Sequence, residues 1–146
     1  MNTMNNEKST AKTNDEMRWA MVHAEEARVL ALVESLPNNF AGAWQVVLKA
    51  LDLSQAQLAA DAQLPEATVS EIIGEKRRGR LHNVMRMCIA ARLPWDVSAF
   101  LLNQGGYCLR SKNRTHVWYR YVLKNCVGWS LEEVQIFLEE RGAGRL

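Results

Sequence analysis

The sequence predicts an all-α protein. Apolar side chains recur every three or four residues through most of the chain, for example across 44–51, and this spacing places them on one face of a helix. Two Ser-x-x-Gln/Glu sequences, beginning at Ser54 and Ser130, match the capping box that opens many helices. No stretch shows the sustained apolar–polar alternation of a β-strand, so we expect helices alone.

Length and composition are those of an ordinary globular domain. The 146 residues are 48% hydrophobic and 23% charged, without an apolar run long enough to cross a bilayer. The first ten residues lack the apolar core of a secretory signal, so we expect a cytoplasmic protein with no membrane contact. Cys88, Cys108 and Cys126 are too scattered for a disulfide framework, and no histidine is spaced with them as in a metal site. We therefore expect no cofactor and no metal.

The N-terminal region divides into an arm and a helix. Residues 1–16 carry almost no large apolar side chain, and we expect them to be disordered. Residues 17–36 show a broad apolar stripe and end before Pro37, which predicts one long helix. This helix could cap the core or form a dimer contact, and the sequence leaves both possibilities open.

The middle of the chain, 37–104, contains five predicted helices. The first spans 40–51, the second follows Ser54, and the third follows Pro65, whose missing N–H is tolerated in a first turn. The last two span 81–91 and the stretch from Pro94 to the glycines at 105–106. We expect this segment to form one compact domain.

The remaining residues, 105–146, predict a pair of helices. One runs from 112 or 113 to about 124, and Val127-Gly128-Trp129 forms the turn. The other begins at the capping box of Ser130 and ends at Gly142. We expect it to turn Leu131, Val134, Phe137 and Leu138 inward.

The stretch from Leu53 to Arg80 reads as two short helices joined by a tight turn and followed by a basic run. This register resembles the helix-turn-helix of the Cro, lambda-repressor and XRE family, over about 40–104. The resemblance implies a lambda-repressor-like five-helix DNA-binding domain, here with an extra N-terminal helix and a C-terminal helical pair. The residues that match the family are Leu53-Ser54-Gln55, Leu58-Ala59, Ala62, Leu64, Thr68-Val69-Ser70 and Ile72.

The chain departs from the family pattern at three points. Gln63 stands in the turn where the family usually has glycine, and a non-glycine residue adopts the left-handed conformation at a cost of roughly 1 kcal/mol or more. Pro65 replaces the usual Ser or Thr cap of the second helix. That helix and its end also carry three acids, Glu66, Glu71 and Glu75, whose negative charges would repel phosphate.

The resemblance implies a sequence-specific regulator of transcription that binds double-stranded DNA as a homodimer. The helix from Glu66 to Ile73 would enter the major groove, and the basic run would supply phosphate contacts. Neither the dimer surface nor the operator follows from the sequence. The DNA-binding residues implied are Gln55, Glu66, Ala67, Thr68, Ser70, Glu71, Lys76, Arg77, Arg78 and Arg80.

Charge is strongly segregated along the chain. From Lys76 to Lys124 there are eleven Lys or Arg and one acid, a net +10, whereas the whole chain carries only +2 and the remainder therefore −8. Such asymmetry is typical of nucleic-acid binding, although a solvated basic face would look the same.

Two other functions remain open from the sequence. A protein-interaction adaptor or inhibitor could keep the fold and bind its partner on the aromatic-basic segment 107–124, because aromatic and Arg side chains dominate interface hot spots. Single-stranded nucleic acid on the same segment ranks last. No nucleophile, base and orienting group form a recognisable signature, so we do not expect an enzyme. The residues of this segment are Tyr107, Arg110, Lys112, Arg114, Trp118, Tyr119, Arg120 and Tyr121.

Overall fold

The computed structural model describes residues 16–17 and 23–146. Within that part of the chain the fold is all-α, as predicted, with helices and turns and no strand. Residues 23–35 form α1. The helices that follow are α2 (Phe40–Ala50), α3 (Gln55–Ala62), α4 (Glu66–Ile73), α5 (Leu81–Ala90), α6 (Trp95–Gln104), α7 (Arg114–Asn125) and α8 (Leu131–Glu140).

The bounds of α2 to α8 agree with the sequence-based prediction to within about two residues. The predicted arm, 1–16, lies outside the described residues except for Glu16, which is helical together with Met17. The predicted helix 17–36 is described at Met17 and from 23 onward, and its last helical residue is Ser35.

Side-chain caps set the beginnings of four of these helices. Ser54 and Ser130 form the two predicted capping boxes, in which the Ser hydroxyl accepts from the N–H of the third helical residue. Asn39 and Asn113 cap α2 and α7 in the same way, accepting from the N–H groups of Gly42 and His116. Asn39 thus opens α2 two residues after Pro37.

A single hydrophobic cluster runs through the described helices from Leu36 to Leu138. Trp44 of α2, Leu58 of α3 and Met87 of α5 are completely buried at its centre. α3 packs on α4 and α5, and α2 packs on α4 and α6. α7 packs on α5 and α6, and α8 packs on α5, so the C-terminal pair closes the same core.

α1 contacts this core only at its end. Leu36 is buried and Val33 is partly buried, whereas Leu30 is 59% exposed. Val29 and Leu32 are also half-buried, so the part of the predicted apolar stripe from 29 to 36 is mostly covered and Leu30 is its exposed member.

Candidate nucleic-acid interface

α3 and α4 are joined by a turn in which Gln63 takes the left-handed conformation, with φ 55° and ψ 43°. The Gln63 and Leu64 amides donate to the carbonyls of Ala60 and Ala59 at 3.1 and 2.9 Å, which satisfies the end of α3. Gln63 thus adopts the backbone conformation for which the family uses glycine. Because this conformation is unfavourable for a residue with a Cβ, the surrounding packing must hold it.

Arg86 of α5 holds that turn from behind. Its guanidinium donates to the carbonyls of Ala62 at 3.0 Å and Gln63 at 3.2 Å. A positive charge at the C-terminal end of α3 also interacts favourably with the negative end of the helix dipole. The turn is therefore fixed by a side chain some 24 residues further along the chain.

The inner and outer faces of α4 are clearly separated. Val69, Ile72 and Ile73 are buried against the core. The predicted site residues of α4 are open to solvent or half-buried on the outer side, as is Gln55 at the start of α3. Glu66, Ala67 and Ser70 are exposed, and Thr68, Glu71 and Gln55 are half-buried.

The first turn of α4 has no side-chain cap, because Pro65 occupies the cap position and makes no side-chain hydrogen bond. The first amides of a helix have no partner within the helix, and the positive end of the helix dipole lies there. Glu66, in the same turn, is the nearest negative charge in sequence. The outer face of α4 is thus small, polar and open at its N-terminal end.

Glu71 and Arg77 form an exposed ion pair with 3.1 Å between carboxylate oxygen and guanidinium nitrogen. Part of the negative charge of α4 is therefore balanced by the basic run that follows it. The next acid, Glu75, takes a left-handed φ of 56°, whereas Gly74 stays at φ −78°. The left-handed residue after α4 is thus Glu75 and not the glycine that precedes it.

The Arg78 side chain is exposed, but its donors are already used within the protein. Its guanidinium donates to the carbonyls of Gly105 at 2.7 Å and Gly106 at 3.0 Å, and it lies 4.4 Å from the centre of the Tyr107 ring. The Tyr107 hydroxyl in turn donates to the carbonyl of Gly79 at 2.8 Å. We call these four contacts the Arg78 clamp. It ties the loop after α4 to the end of α6, and we leave Arg78 out of the proposed interface.

Gly105 is required by this arrangement. A Cβ at that position would lie 2.6 Å from the Tyr107 ring and 2.8 Å from Phe40, so a larger residue would displace the ring from the clamp. The sequence suggests only a helix-ending role for this glycine. No local signal links Arg78 to Tyr107, since the pairing spans almost 30 residues and depends on the tertiary fold.

Lys76 and Arg80 complete the basic run. Both are exposed, and within the described residues neither side chain makes a hydrogen bond or an ion pair. Nearby, burial together with the positive charges of Arg80 and Arg86 lowers the pKa of His82 from its ordinary value. The potential beside the start of α5 is therefore positive.

The aromatic-basic segment 107–124 does not form one continuous surface. Tyr107 belongs to the Arg78 clamp, and Tyr119 is buried. Arg120 donates to the Leu109 carbonyl at 2.6 Å, while Tyr121 is 44% exposed. Of the four aromatic residues, Tyr119 is thus buried, Tyr107 and Trp118 are half-buried, and Tyr121 is exposed.

Trp118 and Tyr121 instead join a cluster with residues of the turn and of α8. Phe137 stacks on Tyr121 at 5.5 Å with nearly parallel rings, and it meets Trp118 and Trp129 edge-on at 5.8 Å each. The Arg141 guanidinium covers Phe137 at 3.5 Å. We call these five residues the aromatic seam. The half-buried Phe137 packs against the hydrophobic core, as predicted for the inner face of α8, and its ring also lies in the seam between α7 and α8.

The described residues offer no site for a metal, since no group of three or more His, Cys, Asp or Glu lies together among them. Burial raises the pKa of the Cys88 thiol to about 12, so this cysteine remains protonated and behaves as a small apolar side chain. In the part of the chain that the structure describes, no helix has the length and apolar character needed to cross a bilayer.

Comparisons with protein-family models, with curated proteins and with solved structures found no match. Function must therefore be inferred from the residues and their geometry.

Proposed function

We propose that the protein is a sequence-specific regulator that binds double-stranded DNA through α3 and α4, in an arrangement similar to that of lambda repressor. The observation that carries the proposal is the packing of two eight-residue helices through a left-handed turn, with small polar residues exposed on the second. A helix with a small, open outer face can approach base edges in the major groove.

The exposed residues of α4 would recognise the bases. Ala67 and the methyl group of Thr68 would contact a thymine methyl, and Ser70 would exchange a hydrogen bond with either base of a pair. Glu66 would accept from a cytosine amino group, and Glu71 would do so only by giving up Arg77. Ala67, Ser70 and Glu66 are therefore the main candidates for specificity, because all three are exposed.

The groups that flank α4 would contact the phosphates. Lys76 and Arg80 carry exposed charges, and Arg77 adds a third that is shared with Glu71. Gln55 and the uncapped amides at the start of α4 are further donors suited to phosphate oxygens. This set would supply most of the affinity, whereas the outer face of α4 would supply discrimination.

The test is selection from random duplex DNA with the purified protein, followed by two paired variants. Ala67→Asp with Ser70→Asp should abolish discrimination between selected and random DNA, because new carboxylates would face base acceptors and phosphate. Arg77→Ala with Arg80→Ala should instead weaken binding to all sequences alike.

A matched control is Ala24→Asp with Ser111→Asp, which makes the same charge change at exposed positions outside α3 and α4. This control should keep its discrimination. If the wild-type protein binds no duplex at low salt, or if the α4 pair behaves like the control, DNA recognition by α4 is excluded.

A second candidate is a protein-binding adaptor or inhibitor that retains the fold. It is favoured by Glu66 and Glu75, two carboxylates around α4 that have no ion-pair partner among the described residues. An adaptor would fail the DNA selection, and the α4 variants would then impair capture of a protein partner instead.

A further inference from the structure

α7 and α8 form an antiparallel hairpin whose outer side carries exposed apolar groups. The end of α8 lies beside the beginning of α7, because the Arg141 guanidinium is 5.4 Å from the Trp118 ring. The aromatic seam fills the line between the two helices. Within the seam Tyr121 is 44% exposed, and the residues next to Trp118 and Phe137 in their helices, Val117 and Ile136, are 43% and 47% exposed. Side chains of this kind are usually buried, so the patch has the composition of an interface core.

The charges around this patch differ in sign between the two helices. α7 contains three basic residues and no acid, whereas α8 contains four acids and no basic residue. Arg114 is exposed and shares the outer face of α7 with Val117 and Tyr121, at helical spacing. The Lys124 ammonium instead lies over the Trp95 ring of α6, 5.0 Å from its centre. The outer face of α8 offers the opposite charge, Glu140, one turn beyond Ile136. Glu133, on the other side of Ile136, accepts from the Ser130 amide in the capping box.

We propose that this face is the interface of a symmetric homodimer. A two-fold axis that runs along the seam, parallel to the helices, would place α7 of each copy against α8 of the other. Val117, Tyr121 and Ile136 would then form the apolar centre. Arg114 of one copy would meet Glu140 of the other, and the two-fold axis would repeat this pair.

The distribution of charge identifies the occupant as a second copy. A symmetric interface brings a surface against itself, so it must be self-complementary. A uniformly basic face would repel its copy and suit an acidic partner, but this face is basic along one helix and acidic along the next. Glu132 and Glu139 do not take part, because Arg145 already pairs with both at 2.8 Å. Glu140 has only a looser pair, 3.6 Å from Arg141, and its side chain is 69% exposed.

The test is sedimentation equilibrium of the full chain over a concentration series, without DNA. The wild-type protein should dimerise. Arg114→Glu alone and Glu140→Arg alone should each weaken the dimer at least tenfold, because each substitution places like charges opposite one another at two symmetry-related positions. The double variant, Arg114→Glu with Glu140→Arg, should restore the affinity to within about threefold of wild type.

Two further variants keep the result interpretable. Lys49→Glu makes the same charge change as Arg114→Glu at an exposed site on α2 and should leave the dimer intact. Val117→Ser with Ile136→Ser removes apolar surface without touching the aromatic contacts, and should give a folded monomer by circular dichroism. A wild-type protein that is monomeric at every concentration overturns the proposal.

A dimer that both the charge reversals and the serine pair leave unchanged also overturns it, because its interface must then lie elsewhere. Failure of the double variant to recover would overturn the pairing of Arg114 with Glu140. These measurements contain no DNA, so their outcome is independent of the DNA-binding proposal, although a dimer would match an operator with two half-sites.

Discussion

At the scale of single residues, the guanidinium of Arg78 joins two segments that are 27 residues apart. In the sequence it stands among Lys76, Arg77 and Arg80 and has the same appearance as its neighbours. The structure separates it from them, because its donors are directed at two carbonyls and its plane covers an aromatic ring. A basic run can thus contain one residue that stabilises the fold and others that remain available to a ligand.

Arg78→Ala should therefore destabilise the protein. It removes two charge-assisted hydrogen bonds and a cation–π contact at a solvent-accessible site, so we expect a loss of about 1–2 kcal/mol in the free energy of unfolding. Arg77→Ala is the matched control, since an exposed ion pair contributes less than about 1 kcal/mol. Urea titration of both variants provides the measurement, and equal midpoints would contradict the clamp.

His82 makes stability depend on pH. Burial, together with Arg80 and Arg86, lowers its pKa in the folded protein below the ordinary value of 6.5. In acid the folded state therefore binds fewer protons than the unfolded state, so stability is complete above that value and falls as the pH drops through the lower, folded pKa. Thermal melts between pH 5 and pH 7.5 should show a smaller decline for His82→Gln than for wild type. An identical decline would assign the pH dependence to other groups.

At the scale of elements, the periodic helices could be predicted from the sequence and the long-range contacts could not. The face of α2 around Trp44 follows from spacing alone, and the two capping boxes locate helix starts because their hydrogen bonds are local. The position of Phe137 depends instead on how α7 meets α8. Its angular position on α8 lies between the side that faces the core and the side that faces α7. Its contacts therefore follow only from the tertiary structure.

The same distinction applies to the candidate site. The two short helices and the exposed Ala67 and Ser70 could be predicted, because the buried partners Val69 and Ile72 fix the opposite face. The Glu71–Arg77 pair and the bonds from Arg86 to the turn could not. Those contacts depend on where the loop after α4 and the helix α5 lie, and neither position is determined by local spacing.

Substitutions of the residues that form the core contacts between α3 and α4 should destabilise the fold, and any loss of ligand binding should follow from that. Leu58, Val69 and Ile72 are almost completely buried, so truncation of each to Ala should cost roughly 2–5 kcal/mol, with Val69 at or below the lower end. Ser70→Ala, on the outer face of α4, should change stability by less than about 0.5 kcal/mol. Thermal unfolding of the four variants would test this division, and similar melting temperatures throughout would refute it.

At the scale of the whole molecule, the segregated charge predicts a strong dependence of DNA binding on salt. If the protein neutralises about five to eight phosphates, the logarithm of its affinity should fall with the logarithm of salt concentration at a slope of about −5 to −7. Arg77→Ala with Arg80→Ala should make that slope shallower by about one unit for each phosphate that is no longer neutralised. Fluorescence anisotropy over a salt series measures both, and a flat response would favour the adaptor function.

The Arg78 clamp has a consequence for the entropy of binding. An unanchored basic loop samples many conformations, and a ligand that selects one of them must offset roughly 1–2 kcal/mol for each backbone residue it orders. Here Arg78 and Gly79 are already held to the segment 105–107 at the end of α6 by hydrogen bonds to backbone carbonyls. The distance between Lys76 and Arg80 is therefore restricted before any ligand binds. A partner whose negative charges match that distance would order little additional backbone when it binds.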